Sequence, residues 1–410
     1  MDHTQHIAIV GGGLAGAKAA EELRARGFKG RLSIFAAEDH LPYERPPLSK
    51  EFLQSKTDFS DALVNPENWY AQRNIYVHTA TKVLSIDTQA KSLATAADSA
   101  ISWDKLILAT GSHPRHLPLP GAEAQNVFYL RTVDDARAIR ARFGPETNLV
   151  IIGAGWIGLE VAAAARAAGT NVSIIEGAAQ PLLNVLGAQI GEVFAKLHAD
   201  HQVQLRTNAK ITELVTDGAV CTGVKLADGE VIAADAVVIG IGVLPQIELA
   251  ADAGLDADNG VLADRFLATS HPEIYAVGDI ANQAHPVLGH RVRVEHWATA
   301  LNQPAAVAAT LTGTPTEYAQ LPYFFSDQYE LGLEYIGYVP RGVPTQIVVR
   351  GDLQALEFMA FWVDEQHRVR AAMNVNIWDA VEDFKKLILS GQRIDLSKLA
   401  DASTPLAELQ

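Results

Sequence analysis

Apolar runs of four or five residues recur along the chain, and each ends at a glycine cluster or a polar turn. Ile7-Ala8-Ile9-Val10 and Leu149-Val150-Ile151-Ile152 are continuous rather than alternating, the pattern of strands covered on both faces in a parallel sheet. Each run opens onto a glycine turn and an alanine-rich stretch, so the pattern predicts strand, turn and helix twice over, with partner strands at 31–36 and 171–176. Between 75 and 109 the runs Tyr76-Val77, Val83-Leu84-Ser85-Ile86 and Ile101-Ser102-Trp103 alternate. They predict a small antiparallel meander leading into the buried strand Lys105-Leu106-Ile107-Leu108-Ala109. A second meander precedes a buried strand at 236–240, and from Leu321 the texture becomes aromatic and alternating. Tyr323-Phe324-Phe325, Gln346-Ile347-Val348-Val349 and 357–363 predict further antiparallel strands, followed by a helical tail from Ala380.

Prolines between 114 and 120, and Gly240-Ile241-Gly242-Val243-Leu244-Pro245, mark crossings between domains. The predicted fold is therefore α/β, with two Rossmann-like dinucleotide-binding domains plus a C-terminal α+β domain. Residues 1–115 and 246–320 form the first domain, 116–245 the second and 321–410 the third. The glycine turns lie 142 residues apart (153 − 11), the scale of a duplicated domain.

The turns themselves are Gly11-Gly12-Gly13-Leu14-Ala15-Gly16 and Gly153-Ala154-Gly155-Trp156-Ile157-Gly158. Gly11 and Gly153 permit the tight strand-to-helix turn, Gly13 and Gly155 let backbone approach a pyrophosphate, and Gly16 and Gly158 let helix pack closely on strand. The helix N-terminus then offers unpaired N–H groups to phosphate. One such motif implies a dinucleotide; two imply a flavin exchanging electrons with a nicotinamide.

Composition narrows the partners. The formal net charge of −15 argues against binding nucleic acid or an anionic membrane. Cys221 is the only cysteine, which excludes an internal disulfide, a dithiol relay of the disulfide-reductase kind and a cysteine-held metal or iron–sulfur site. No metal site is expected. The start Met1-Asp2-His3-Thr4 has no basic leader pattern, and the longest apolar stretch, 149–165, is interrupted by Glu160, so a cytoplasmic protein is expected.

Several polar residues stand where chemistry would need them. Glu176, 18 residues after Gly158, can accept from a ribose hydroxyl pair, and Gly177-Ala178-Ala179-Gln180 supplies no cation for a 2′-phosphate, which favours NADH over NADPH. Glu38 holds the matching place in the first half, with Asp39 competing for it. Arg45-Pro46-Pro47-Leu48-Ser49-Lys50 is a stiff turn able to aim Arg45 at a pyrophosphate and Lys50 inward at a ring. Glu160 is a dipole-stabilising carboxylate in the first turn of its helix or a partner for Lys50. Asp279 is a ribityl ligand or a helix cap, and Trp297 a packing residue or a ring that stacks on flavin. His296 is given no catalytic role.

The paired fingerprints, 42–50 (Pro42 to Lys50), Leu108-Ala109-Thr110-Gly111, Tyr129-Leu130-Arg131-Thr132, Gly158-Leu159-Glu160, Ala276-Val277-Gly278-Asp279 and Phe325-Ser326-Asp327-Gln328 together resemble the FAD-dependent ferredoxin reductases of bacterial oxygenase systems. These are related in fold to glutathione reductase, and the resemblance spans the chain. It implies that Leu14, Ala15, Lys50, Val83, Thr110, Gly111, Arg131, Asp279 and Trp297 contact FAD, with Lys50 near the flavin N5 edge and paired with Glu160. Gly155, Trp156, Ile157, Glu160, Glu176 and Gly242 then line the NADH site. Family members often carry Gly-Asp where this chain has Ala36-Ala37, which moves the ribose carboxylate to Glu38. The implied reaction takes a hydride from NADH onto FAD and hands single electrons to a [2Fe–2S] ferredoxin, which feeds a Rieske dioxygenase or a haem-thiolate monooxygenase. The alternatives are direct reduction of rubredoxin, a quinone or oxygen, and a redox sensor like apoptosis-inducing factor. Arg291, Arg293, Lys385, Lys386 and Arg393 are candidates for docking an acidic ferredoxin.

Overall fold

Continuous apolar runs must be covered on both faces, and the computed structural model, which describes residues 4–98, 100–340 and 342–409, shows how. Met1–His3 of the expected leaderless start lie outside the described residues. The chain divides into two compact units, each made of three segments. The first comprises 1–44, 60–113 and 244–323; the second comprises 45–59, 114–243 and 324–410.

In the first unit His6–Val10 is the middle of a five-stranded parallel sheet ordered Ile274–Ala276, Lys105–Leu108, His6–Val10, Arg31–Phe35, Ile75–His78. Helix Leu14–Ala25 buries Leu14, Ala15, Ala17, Ala19, Ala20 and Leu23, and its alanines let it lie close to its neighbours, among them helix Trp297–Leu311. The expected antiparallel meander is only partly right. Val83–Asp87, Ser92–Thr95 and Ile101–Ser102 form it, whereas Ile75–His78 runs parallel to Arg31–Phe35 in the main sheet. The cause is the helix Glu67–Gln72, which reverses the chain direction before the strand; a parallel neighbour requires such a crossover.

The second unit repeats the arrangement as Gln204–Arg206, Asn171–Ile175, Asn148–Ile152, Ala236–Ile239, Val127–Tyr129, again all parallel. The same unit holds most of an antiparallel sheet ordered Tyr323–Gln328, Leu331–Gly337, Val369–Val375, Glu357–Val363, Gln346–Asp352, with helix Val381–Ser390 packed on it. No helix among the described residues is long and apolar enough to cross a membrane.

His198, on helix Ala188–Asp200, is wholly buried, and that burial pushes its imidazole from the ordinary 6.5 down to about 4. The unfolded chain therefore takes up a proton near pH 6.5 that the folded chain refuses until about pH 4. The contribution of His198 to stability is expected to be full above pH 6.5 and to fall as pH drops through that window, by roughly 3 kcal/mol at its end. Thermal melts at pH 7, 6 and 5 should show the fall, and it should be shallower in His198→Gln; equal slopes would refute it.

Candidate cofactor and redox site

In the first unit, a Cβ on Gly11 (φ +129°) would lie 2.1 Å from the carbonyl oxygen of Ala109, and one on Gly16 would lie 2.1 Å from that of Gly11. A Cβ on Gly13 would meet nothing within 4 Å. Two of the glycines are thus demanded by the protein's own backbone, while the third faces open space at a helix N-terminus. The second unit shows the same division: Gly153 (φ +99°) and Gly158 would carry a Cβ 2.5 and 2.1 Å from the carbonyl oxygens of Gly240 and Gly153, but at Gly155 the nearest atom is 3.9 Å away. This geometry fits a pyrophosphate over each turn, as FAD and NADH require.

The carboxylates expected beside those turns are held in place. Glu176 follows strand Asn171–Ile175, and its two oxygens accept from the Ala154 and Ala178 amides, each at 2.7 Å, which sets it against the second glycine turn. Glu38 is half-buried and accepts from the Tyr43 hydroxyl, whereas Asp39 is exposed. Also in the first unit, Ser112 donates to Asp279 at 2.5 Å, the carboxylate lying in the 3-10 turn Gly278–Ile280 rather than capping a helix. Trp297 opens its helix and donates from Nε1 to Glu44 at 3.2 Å. Neighbouring His296 is pushed down to about 4 by burial, against the pull of Asp279. Thr110 donates to the Gln246 carbonyl at 2.9 Å, and Val83 and Ala15 are buried.

In the second unit the turn Arg45–Lys50 is built as its prolines predict. Pro46–Ser49 is a 3-10 helix, Leu48 is buried beneath it, and the Lys50 amide donates back to the Pro47 carbonyl at 3.0 Å. Arg45 donates to the carbonyl of Arg131, which sits between strand Val127–Tyr129 and the Thr132 cap of helix Val133–Arg140. The Arg115 amide donates to Gly242 at 2.9 Å. Trp156 packs edge-on to Phe194 and Phe324, while the adjacent Ile157 is 41% exposed.

The most constrained group is the ion pair. Lys50 Nζ lies 2.8 Å from Glu160 Oε2, with side chains 8% and 4% exposed. Oε2 also accepts from the Ser49 hydroxyl and Oε1 from that of Ser326 at 2.6 Å, so the carboxylate is satisfied on both oxygens. The ammonium lies 5.4 Å from the centre of the Phe325 ring. The Asp327 carboxyl is pushed above its ordinary value, chiefly by burial, with Lys50 opposing and Glu160 and Glu51 adding to the rise. Ser49, Ser326, Ser112 and Glu44 carry no role that the sequence alone reveals. Ser326 stands in a motif quoted above, but its contact with a residue 166 positions away has no local signature.

Four of the five expected docking cations have partners within the fold, and the fifth, Arg393, is exposed. Arg291 donates to the Ala263 and Asn282 carbonyls, and Arg293, Lys385 and Lys386 pair with Glu295, Glu382 and Asp383. No group of three or more potential metal ligands occurs among the described residues.

Residues 5–303 match the family described as pyridine nucleotide-disulphide oxidoreductase, and 323–410 match the reductase C-terminal family. Rhodocoxin reductase of Rhodococcus erythropolis is 40% identical over 357 residues, covering 87% of this chain and 83% of that protein. The ferredoxin–NAD(+) reductase component of the anthranilate 1,2-dioxygenase system of Burkholderia cepacia is 38% identical over 400 residues, 97% of each. Among solved structures, the covalent putidaredoxin reductase–putidaredoxin complex superposes with a TM-score of 0.95 at 35% identity, covering 100% of this chain and 98% of that one. The paired glycine turns and the matches at both ends of the chain agree: it belongs to the pyridine nucleotide-disulphide oxidoreductase family and carries the reductase C-terminal domain.

Proposed function

We propose that the protein takes a hydride from NADH and delivers single electrons to a [2Fe–2S] ferredoxin serving an oxygenase system. One observation supports an external acceptor: two dinucleotide turns share a chain whose only cysteine is the buried Cys221. No dithiol can take electrons inside the protein, so the acceptor comes from outside. The relatives named for ferredoxin reduction supply its class. A cytoplasmic setting, where thiols stay reduced, belongs to the same reading.

FAD, when bound, supplies the conversion between a two-electron donor and one-electron acceptors. The chain's own residues do the rest in this reading. Gly13 and Gly155 leave room for the pyrophosphates, with Arg45 and Arg131 adding positive charge. Glu38 and Asp279 receive sugar and ribityl hydroxyls, while Ala15, Val83, Thr110, Gly111 and Trp297 enclose the flavin. Trp156, Ile157 and Gly242 shape the nicotinamide side, and Lys50 holds a positive charge whose strength Glu160 moderates.

Glu176 sets the choice of nicotinamide. Its replacement with alanine should raise the KM for NADH roughly 10- to 100-fold, the loss of hydrogen bonds to a charged acceptor, and should erase the preference over NADPH. An unchanged NADH/NADPH ratio in steady-state assays would reject that role.

The reading as a whole is tested by anaerobic stopped-flow mixing of the holoenzyme with NADH, then with a [2Fe–2S] ferredoxin. Rapid flavin bleaching followed by fast ferredoxin reduction is expected. Bleaching with ferredoxin reduced no faster than quinone or oxygen would favour a direct oxidoreductase, and an NADH-driven change of oligomeric state without turnover would favour a sensor.

A further inference from the structure

Behind Glu160 lies a file of buried polar side chains that none of the cofactor assignments uses. Ser326 and Gln328 are two apart on strand Tyr323–Gln328 and so share its inward face, both 1% exposed, while the intervening Asp327 lies on the opposite face. Ser326 Oγ is 2.6 Å from Glu160 Oε1, Gln328 Nε2 is 3.2 Å from Ser326 Oγ, and His198 Nε2 is 3.0 Å from Gln328 Oε1. Tyr329 closes the file with its hydroxyl 3.5 Å from His198 Nδ1.

The direction of every bond follows from the first. A carboxylate paired with lysine only accepts, so the one hydroxyl proton of Ser326 goes to Glu160. Ser326 must then accept, which turns the Gln328 amide N–H₂ toward it and the amide oxygen toward His198. That oxygen requires the proton of a neutral imidazole to sit on Nε2, leaving Nδ1 to accept from Tyr329. Each donor points toward Glu160. Bonds aligned head to tail polarise one another, and a buried polar file of this length is costly unless it is complete.

We propose that Ser326, Gln328 and His198 are positioning residues that hold Glu160 by Oε1 and so fix how Oε2 meets Lys50. Ser326 and Gln328, from the C-terminal domain, would thereby set the charge presented by a pair on other stretches of the chain. This rests on the reading that Lys50 and Glu160 act on the flavin–nicotinamide chemistry.

The test uses the reduction of the holoenzyme by NADH, with the limiting rate separated from the apparent Kd. Gln328→Glu gives Ser326 a second carboxylate to donate to and turns its proton away from Glu160. Gln328→Met removes a donor but leaves Ser326 facing Glu160. Ser326→Ala and Gln328→Glu should each slow limiting reduction about tenfold, the loss of one hydrogen bond to a charged group. Gln328→Met should slow it less, and Ser326→Thr should restore most of the rate lost in Ser326→Ala. The apparent Kd for NADH should move less than about threefold. Wild-type rates in Ser326→Ala and Gln328→Glu beside a slowed Glu160→Gln overturn the positioning role alone. Wild-type rates in all three overturn the reading of the ion pair, and the positioning role with it. Equal slowing by Gln328→Glu and Gln328→Met, in step with lost thermal stability, reduces the file to packing and also overturns the proposal.

Discussion

Lys50→Met is expected to lower the stability of the protein by about 3–5 kcal/mol, measured in urea at saturating FAD, and to slow flavin reduction. With the ammonium gone, Glu160 remains a buried carboxylate, 4% exposed, supported among the described residues by the Ser49 and Ser326 hydroxyls. Desolvation of an unpaired charge outweighs anything a methionine gains by packing. Removing the charge from both sides should reverse most of the loss, so Lys50→Met/Glu160→Met should be more stable than Lys50→Met while remaining slow in flavin reduction. If the double variant is the less stable of the two, the pair is not the source of the loss. Recovery of stability without recovery of rate separates what the ion pair does for folding from what it does for electron transfer.

A second large effect belongs to the first glycine turn. Gly11→Ala should yield protein that is unfolded or without flavin, with a loss above about 4 kcal/mol. Its φ of +129° is closed to L side chains, and the new methyl would sit 2.1 Å from the Ala109 carbonyl oxygen and 2.5 Å from its carbon. Both backbones belong to the ends of paired parallel strands and cannot part without opening the sheet. Gly13→Ala should behave differently. Gly13 has φ −92° and open space around its Cβ direction, so the apoprotein should melt close to the wild type while affinity for FAD falls tenfold or more. If both variants keep flavin, the space over Gly13 is not where the pyrophosphate lies.

What could be read without coordinates was what a few adjacent residues determine. The glycine turns and their flanking strands are local, since a Cβ at Gly11, Gly16, Gly153 or Gly158 would strike neighbouring backbone, and the runs at Ile7 and Leu149 form strands His6–Val10 and Asn148–Ile152. Pro46 and Pro47 likewise shape their own turn. The place of Ile75–His78 in the main sheet is hidden in the sequence because Tyr76 is 53% exposed, which makes the run alternate, and because the six-residue helix before it is too short for a helical periodicity to show. The pairing of Lys50 with Glu160 came from resemblance, not from spacing. The hydroxyls of Ser49 and Ser326 reach Glu160 across 111 and 166 residues, where three elements meet, and no local pattern encodes such a meeting.

The division of each unit into three stretches of chain has a consequence for biosynthesis. Strand Lys105–Leu108 leaves the ribosome long before Ile274–Ala276, the strand that lies beside it. At translation rates of roughly 5–20 residues per second the interval is on the order of 10–30 s. During that time the nascent sheet presents Leu106, Ile107 and Leu108 along an open edge, a template for pairing with other chains. Glu160 likewise emerges well before Ser326, the hydroxyl that donates to its Oε1. Lower growth temperature and chaperones that shield a half-made sheet are therefore expected to raise the yield in a producing cell.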